Sequence, residues 1–524
     1  MKMLSSVVIR TVTPKQISLG PDIEVSPQGM GSFPAVAAGT PCLALVTDLC
    51  KRLNDARVAY CHWKGNAFLH RSAAGDKDLD LLIARADMSR FLEVLCQLQI
   101  KPAKARNPDF PGIENYYGFD APSGKIVHIH AHYRLALGDN LTMNYYIPIE
   151  KEFLQSAVQH GSFKVPSPEF EYIVFVLRMT LKYCTWNAWV RRMDSLPHKA
   201  QVEMRYLETR VNRVSIVTLL RQQLPFLDPR LFWICARSLQ PDRSPWFRIQ
   251  VAMLLEKHLR AHARRSRTLD VFLKLMRTGV RTVSWRIFNH KPKKRLASGG
   301  AVIALVGGDG AGKSTAVAEI HKWLSKDFRA LRVHMGRPPL SGTTVAIKAA
   351  LWAARPLQSL AKQKTGNGHQ IRGNSESGIG YGQLLRNACK ARDRYRAFVK
   401  ARRFAANGGV VVTDRFPLRQ VKRMDAARST GIRVPASNRV AWFLVKMEEG
   451  YYAQLSRPDV LIVLQVAPEI AARRKPGEDE QFVLMRCEEI QQLNWKEQGA
   501  HVVDASQPKE RVLAELKSIV WSEI

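Results

Sequence analysis

One run of residues has the types and order needed to hold a nucleoside triphosphate. Gly307-Gly308-Asp309-Gly310-Ala311-Gly312-Lys313-Ser314, followed by Thr315, fits the pattern G-x-x-x-x-G-K-[ST] in full. Glycines let consecutive backbone N–H groups turn inward around phosphate oxygens. A helix that begins inside the loop adds the positive potential of its N-terminus. In that arrangement Lys313 reaches the β- and γ-phosphates, and the Ser314 hydroxyl ligates Mg²⁺. ATP and Mg²⁺ are the cofactors this predicts.

A second pattern lies near the other end of the chain. His62-Trp63-Lys64-Gly65 is followed by Gly75-Asp76-Lys77-Asp78-Leu79-Asp80-Leu81-Leu82-Ile83. On a strand Asp78 and Asp80 point to the same face, because the side-chain period is two. Two carboxylates on one face can hold Mg²⁺ against a triphosphate.

Elements must position these groups. An apolar run at 302–306 ends just before the glycine-rich loop, and a helical pattern starts at Lys313. Further strand expectations fall at 331–335, 410–413, 460–466 and 501–504, separated by helical stretches. Short apolar runs with helices between them indicate a parallel sheet buried on both faces. Residues 41–140 alternate in an α/β manner, and 141–290 turn mainly helical, with Ile173, Val174, Val176, Leu177, Met179 and Leu181 on one buried helix. Residues 1–40 are punctuated by Gly and Pro and read as a poorly ordered lead-in, and 364–382 reads as a mobile, glycine-rich insertion. Lys291-Pro292-Lys293-Lys294-Arg295 leads to Ser298-Gly299-Gly300, which reads as a linker.

The loop with its Asp309 resembles that of thymidylate kinases and related nucleoside-monophosphate kinases. The resemblance continues in Ala391-Arg392-Asp393-Arg394, in the strand-end Asp414-Arg415-Phe416 and in the strand run from Pro458 to Leu464. It ends with Ala467-Pro468-Glu469-Ile470-Ala471-Ala472-Arg473-Arg474 and Val503-Asp504-Ala505, and so spans residues 300–524. It implies that Asp414 serves the Mg²⁺–water shell, that Arg394 and Arg415 clamp the acceptor phosphate, and that Arg473 and Arg474 act as lid arginines. It also implies that Asp309 lies near the acceptor sugar. Pro417-Leu418-Arg419-Gln420-Val421-Lys422-Arg423 departs from the family's thymine-reading segment, which leaves the acceptor open.

Residues 45–140 resemble the polymerase-β-type nucleotidyltransferase fold, in which Asp-x-Asp on one strand is joined by a third carboxylate on a later strand. The later strand here is Lys125-Ile126-Val127-His128-Ile129-His130-Ala131-His132-Tyr133, with three same-face histidines instead of an acid. A metal role for His130, a His-x-His-x-His zinc centre and a nucleotide-binding but inactive domain all stay open.

The expected fold is therefore α/β. It comprises a lead-in (1–40), an α+β nucleotidyltransferase-like domain (41–140) and a basic helical connector (141–297). A P-loop domain with a five-stranded parallel sheet follows (298–524). With 80 Lys+Arg against 45 Asp+Glu, the charge of +35 fits work on phosphorylated small molecules, and also contact with nucleic acid or an anionic membrane surface. The basic stretch 257–295 reads as a helix whose apolar face packs on its neighbours; lying on lipid or nucleic acid is the alternative. Eight cysteines without a CxxC pair, and no long apolar run, suit a cytoplasmic protein with reduced thiols. The expected activity is ATP-dependent phosphotransfer to a nucleotide or similar small acceptor. Its alternatives are nucleotidyl transfer through Asp78 and Asp80, and an NTP-gated basic scaffold.

Overall fold

A computed structural model describes residues 42–104, 110–186, 188, 196–288, 293–353, 381–418, 420, 421, 427, 429, 438–477 and 479–524. The lead-in expected over 1–40 lies outside the described residues, as do all but the last two residues of the insertion expected over 364–382. Residues 41–524 form one compact unit.

The first sheet contains β1 (Tyr60–His62), β2 (Leu79–Ile83), β3 (Lys101–Lys104), β4 (Ile113–Asp120) and β5 (Lys125–His132). Hairpins β6 (Ala136–Leu137) with β7 (Tyr145–Tyr146), and β8 (Val158–His160) with β9 (Phe163–Val165), follow. A late strand, β10 (Arg295–Leu296), closes the order β1-β2-β5-β4-β3-β10. β2 and β5 run parallel, with Asp80 opposite His130. Alternation along β5 buries Val127, Ile129 and Ala131 against the helices Ala44–Asp55 and Met88–Gln97, which leaves the histidines on the other face.

The middle of the chain is helical. Pro168–Tyr183, Pro229–Ser238 and Pro245–His258 each start with Pro in the first turn behind a side-chain cap, Ser167, Asp228 and Ser244 respectively. Proline loses nothing there, because its missing N–H would be unpaired in any case. Pro168–Tyr183 is buried nearly all round, as its continuous apolar run requires.

The basic helix Arg267–Phe288 corrects an expectation. Most of its described apolar side chains face away from the neighbours: Phe272 is 61% exposed and Val280 64%, and Leu269, Leu275, Met276 and Val283 are also exposed. The helix is tied down by its polar side instead. Lys274 and Asp270 form a buried ion pair at 2.6 Å, and Arg277 donates to the Leu141 carbonyl. Among the described residues no helix is long and apolar enough to cross a membrane.

The last sheet is five-stranded and entirely parallel: β11 (Val302–Gly307), β12 (Ala330–His334), β13 (Val410–Asp414), β14 (Val460–Gln465) and β15 (His501–Asp504). Its order is β12-β13-β11-β14-β15. Ile303 and Leu305 pack toward the helices Lys313–Leu324 and Lys509–Glu523, whereas Ala304 and Val306 pack toward Tyr381–Ala406. Cover on both faces explains why β11 is buried at all six positions. Just ahead of β11, Gly300 lies so close to the chain entering β13 that a Cβ would collide with the Gly409 carbonyl.

The two sheets share a core. Ala103 and Tyr117 of the first sheet cluster with Leu296, Phe328 and Trp521, and the Trp521 indole N–H donates to the Gln99 carbonyl at 3.1 Å. The stretch read as a linker contains β10, whose Leu296 enters that core.

Candidate functional site

The glycine-rich loop leaves β11 and enters the helix Lys313–Leu324. Gly310 and Gly312 have φ of +79° and +77°, conformations that other residues adopt at a cost. Around Gly310 the space is closed, with the Ala471 carbonyl 2.6 Å from where a Cβ would stand. Around Gly312 nothing lies within 4 Å, so the loop faces open space there. Lys313 is 6% exposed and its Nζ donates to the Gly308 carbonyl at 2.6 Å. Burial pushes its ammonium below the ordinary lysine range, with Asp309 opposing.

Ser314 Oγ donates to Asp414 Oδ2 at 2.9 Å. Asp414 ends β13, is 1% exposed, and its Oδ1 has no hydrogen-bond partner among the described residues. Asp309 gathers cations: Arg415 Nη2 is 3.4 Å from Oδ1, Lys313 Nζ is 3.8 Å from it, and Arg486 pairs with Oδ2. Burial alone would raise the Asp309 carboxyl, but Lys313, Arg486 and Arg415 together hold it below the ordinary range. Arg415 has φ of 56°, a strained value for a side-chain-bearing residue, and sits directly after Asp414.

The other expected arginines have different surroundings. Arg394 is 1% exposed; its Nε donates to the Met335 carbonyl at 2.7 Å and its Nη1 to the Tyr452 hydroxyl. Met335 N in turn donates to the Asp414 carbonyl at 2.9 Å, so Arg394 anchors the backbone beside Asp414. Arg474 Nη1 donates to the Ala505 carbonyl at 3.0 Å and approaches the Gly310 carbonyl at 3.5 Å. Arg473, at the end of the helix Pro468–Arg473, is exposed. Thr315, Gly312, Arg474, Ala505, Gln507 and Lys509 help line a cavity of about 310 Å³ beside the loop, the size of a small-molecule site.

On the first sheet, Asp78 and Asp80 take different partners. Asp78 Oδ1 lies 2.9 Å from His128 Nδ1, whereas Asp80 Oδ1 lies 2.9 Å from Lys64 Nζ and 3.1 Å from His130 Nδ1. Burial would raise the Asp80 carboxyl; Lys64 and the two histidines hold it well below the ordinary range. Burial lowers His130, against the pull of Asp80, and takes His132 down to about 3. The turn that projects Lys64 is fixed from beneath, where Glu203 accepts from Gly65 N at 3.1 Å and Glu171 from Asn66 N at 3.3 Å. A cleft of about 610 Å³ opens beside Asp78 and His128 and is walled by Lys77, Lys125, Lys322 and Lys517.

Arg486 and Tyr452 were not legible in the sequence: each sits on a helix just outside a quoted motif, and only the fold brings it to Asp309 or Arg394. Lys64 stands on the turn shaped by Gly65, whose φ is 75°; the glycine beside the lysine is the one sign of that turn in the sequence.

No family model matches the chain. It is similar to the uncharacterized ATP-binding protein YghR of Escherichia coli strain K12, at 26% identity over 233 residues, which covers 42% of this chain and 86% of that protein. The protein of the same description from Escherichia coli O6:H1 matches over the same length at the same identity.

Proposed function

We propose that the chain is an ATP-dependent phosphotransferase of the thymidylate-kinase-like kind, which passes the γ-phosphoryl group of ATP to a nucleoside monophosphate or a similar small acceptor. The observation that carries this reading is where the loop lies. It leaves the central strand β11 at the carboxyl edge of a parallel sheet, between β13 on one side and β14 on the other. That is the switch point at which open α/β sheets bind ligands. Lys313, Ser314 and Asp414 converge there.

In this reading the loop N–H groups and the helix N-terminus take the phosphates, and Lys313 exchanges the Gly308 carbonyl for a phosphate oxygen. Ser314 and the unpartnered oxygen of Asp414 are hard donors of the type Mg²⁺ takes, and the ion supplies charge neutralisation on the phosphates. Arg415 reaches the acceptor side from its strained backbone, and Asp309 orients it. Arg473 and Arg474 close over the transferred group. Arg394 acts at one remove, by fixing Met335 against Asp414. The cavity beside Thr315 and Ala505 receives the base of ATP. The description of the Escherichia coli relative as ATP-binding supports the donor.

Nucleotidyl transfer through Asp78 and Asp80 has less support, because Asp78 turns to His128 and Asp80 to His130, and β5 brings no third carboxylate to them. The test is a coupled ADP-release assay with MgATP and a panel of nucleoside monophosphates, run beside Lys313→Ala. Acceptor-dependent ADP release that disappears in the variant is expected. Pyrophosphate release instead, or turnover indifferent to Lys313, would defeat the proposal.

A further inference from the structure

Three ligand atoms in the first sheet converge outside the phosphate loop. Asp80 Oδ1, His130 Nδ1 and His132 Nε2 form a triangle with sides of 3.1, 3.3 and 3.8 Å. Each corner of such a triangle is about 2.0 Å from a common centre, the length of a metal bond to nitrogen or oxygen in zinc sites. The fold sets this geometry. Parallel pairing puts Asp80 of β2 opposite His130 of β5, and the two-residue strand period brings His132 to the same face. His132 is 1% exposed and Asp80 6%, so both are rigidly held.

The donor set differs from that of the phosphate loop. Two imidazoles and one carboxylate suit zinc, cobalt and related transition metals, whereas Mg²⁺ takes oxygen. We propose that Asp80, His130 and His132 hold a divalent transition-metal ion with a remaining open coordination position. The open side is the His130 side. His130 is the most exposed of the three, at 20% of its side chain, and its ring centroid is 5.7 Å from that of His128, which lines the larger cleft. A three-ligand site with a free position is the arrangement that presents water or substrate to the metal.

Lys64 is the built-in competitor. Its Nζ lies 2.9 Å from Asp80 Oδ1, the same oxygen the ion needs. Metal binding must therefore displace an ammonium, and Lys64→Met should bind metal at least as tightly as the wild type. A purely structural Lys64–Asp80 pair predicts the reverse, since removing the lysine then only destabilises the site.

The test is titration of the metal-free full chain with Co²⁺ alone, followed by its visible absorption, with Zn²⁺ added afterwards as a competitor. Stoichiometric uptake with a visible d–d band, abolished by Zn²⁺, is expected in the wild type and in Lys64→Met. His130→Ala and Asp80→Asn should lose that band while circular dichroism reports an intact fold. His128→Ala, whose ring faces Asp78, should keep it. No band in the wild type, an undiminished band in folded His130→Ala, or its loss in Lys64→Met would overturn the proposal. None of these readings depends on phosphotransfer, so the proposed activity stands or falls separately.

Discussion

Asp309 is the residue on which the loop's charges balance. It faces Lys313, Arg415 and Arg486, so removing one cation leaves a buried carboxylate less well compensated. Arg486→Ala is expected to lower stability at neutral pH by about 1–3 kcal/mol, measured by denaturant melts. The pH dependence has a definite sign. The carboxyl of Asp309 is held below its ordinary range in the folded chain. Its contribution is therefore complete above the unfolded carboxylate pKa and is lost as pH falls through the folded value. The gap between variant and wild type should narrow on acidification below the carboxylate range; a gap that widens there would contradict this account. The sequence pattern displayed Asp309 and Lys313 plainly. It could not display Arg486, because the pairing is made by a helix 177 positions away in the chain.

At the scale of elements, Glu171 on the helix Pro168–Tyr183 is buried and holds the turn that carries Lys64. Burial raises its carboxyl from 4.5 to about 7. A group with a raised folded pKa contributes fully below its unfolded value and loses that contribution as pH rises through the folded one. Glu171→Gln keeps the shape without the titration. Its stability relative to wild type should rise by roughly 2–3 kcal/mol between about pH 5 and about pH 8, read from melts at both ends; a flat difference would place the charge elsewhere. The three inner strands of the parallel sheet were legible because strands buried on both faces are nearly continuous apolar runs, as in Val302–Gly307. β10 was not, since two residues next to a Gly-Gly pair acquire strand character only by pairing with β3. The helix Arg267–Phe288 was legible as a helix, but not in its orientation. Periodicity identifies an apolar face, and here the buried Lys274–Asp270 pair turns the other face inward.

At the scale of the whole molecule, the phosphate-loop sheet and the first sheet do not have separate interiors. Tyr117 packs edge-on against Phe328 at 4.8 Å between ring centroids, and Phe119 against Trp323 at 5.4 Å. A chain restricted to 298–524 would expose Phe328, Trp323 and Trp521 and lose β10. It is expected to melt at lower temperature than the full chain, or to aggregate, in calorimetry at matched concentration. Equal melting temperatures would mean that the shared core adds nothing to the stability of the last sheet. The sequence drew a boundary at this place because composition changes there, while contact across it depends on aromatic residues far apart in the chain. The close approach of Gly300 to the Gly409 carbonyl belongs to the same region. A backbone oxygen cannot swing aside as a side chain can, so every other residue type at 300 meets the same obstacle. A survey of all single substitutions would find position 300 as intolerant as Lys313. Selection would thus mark a residue that contacts no phosphate as strictly as one that does, and intolerance alone would not tell the two apart.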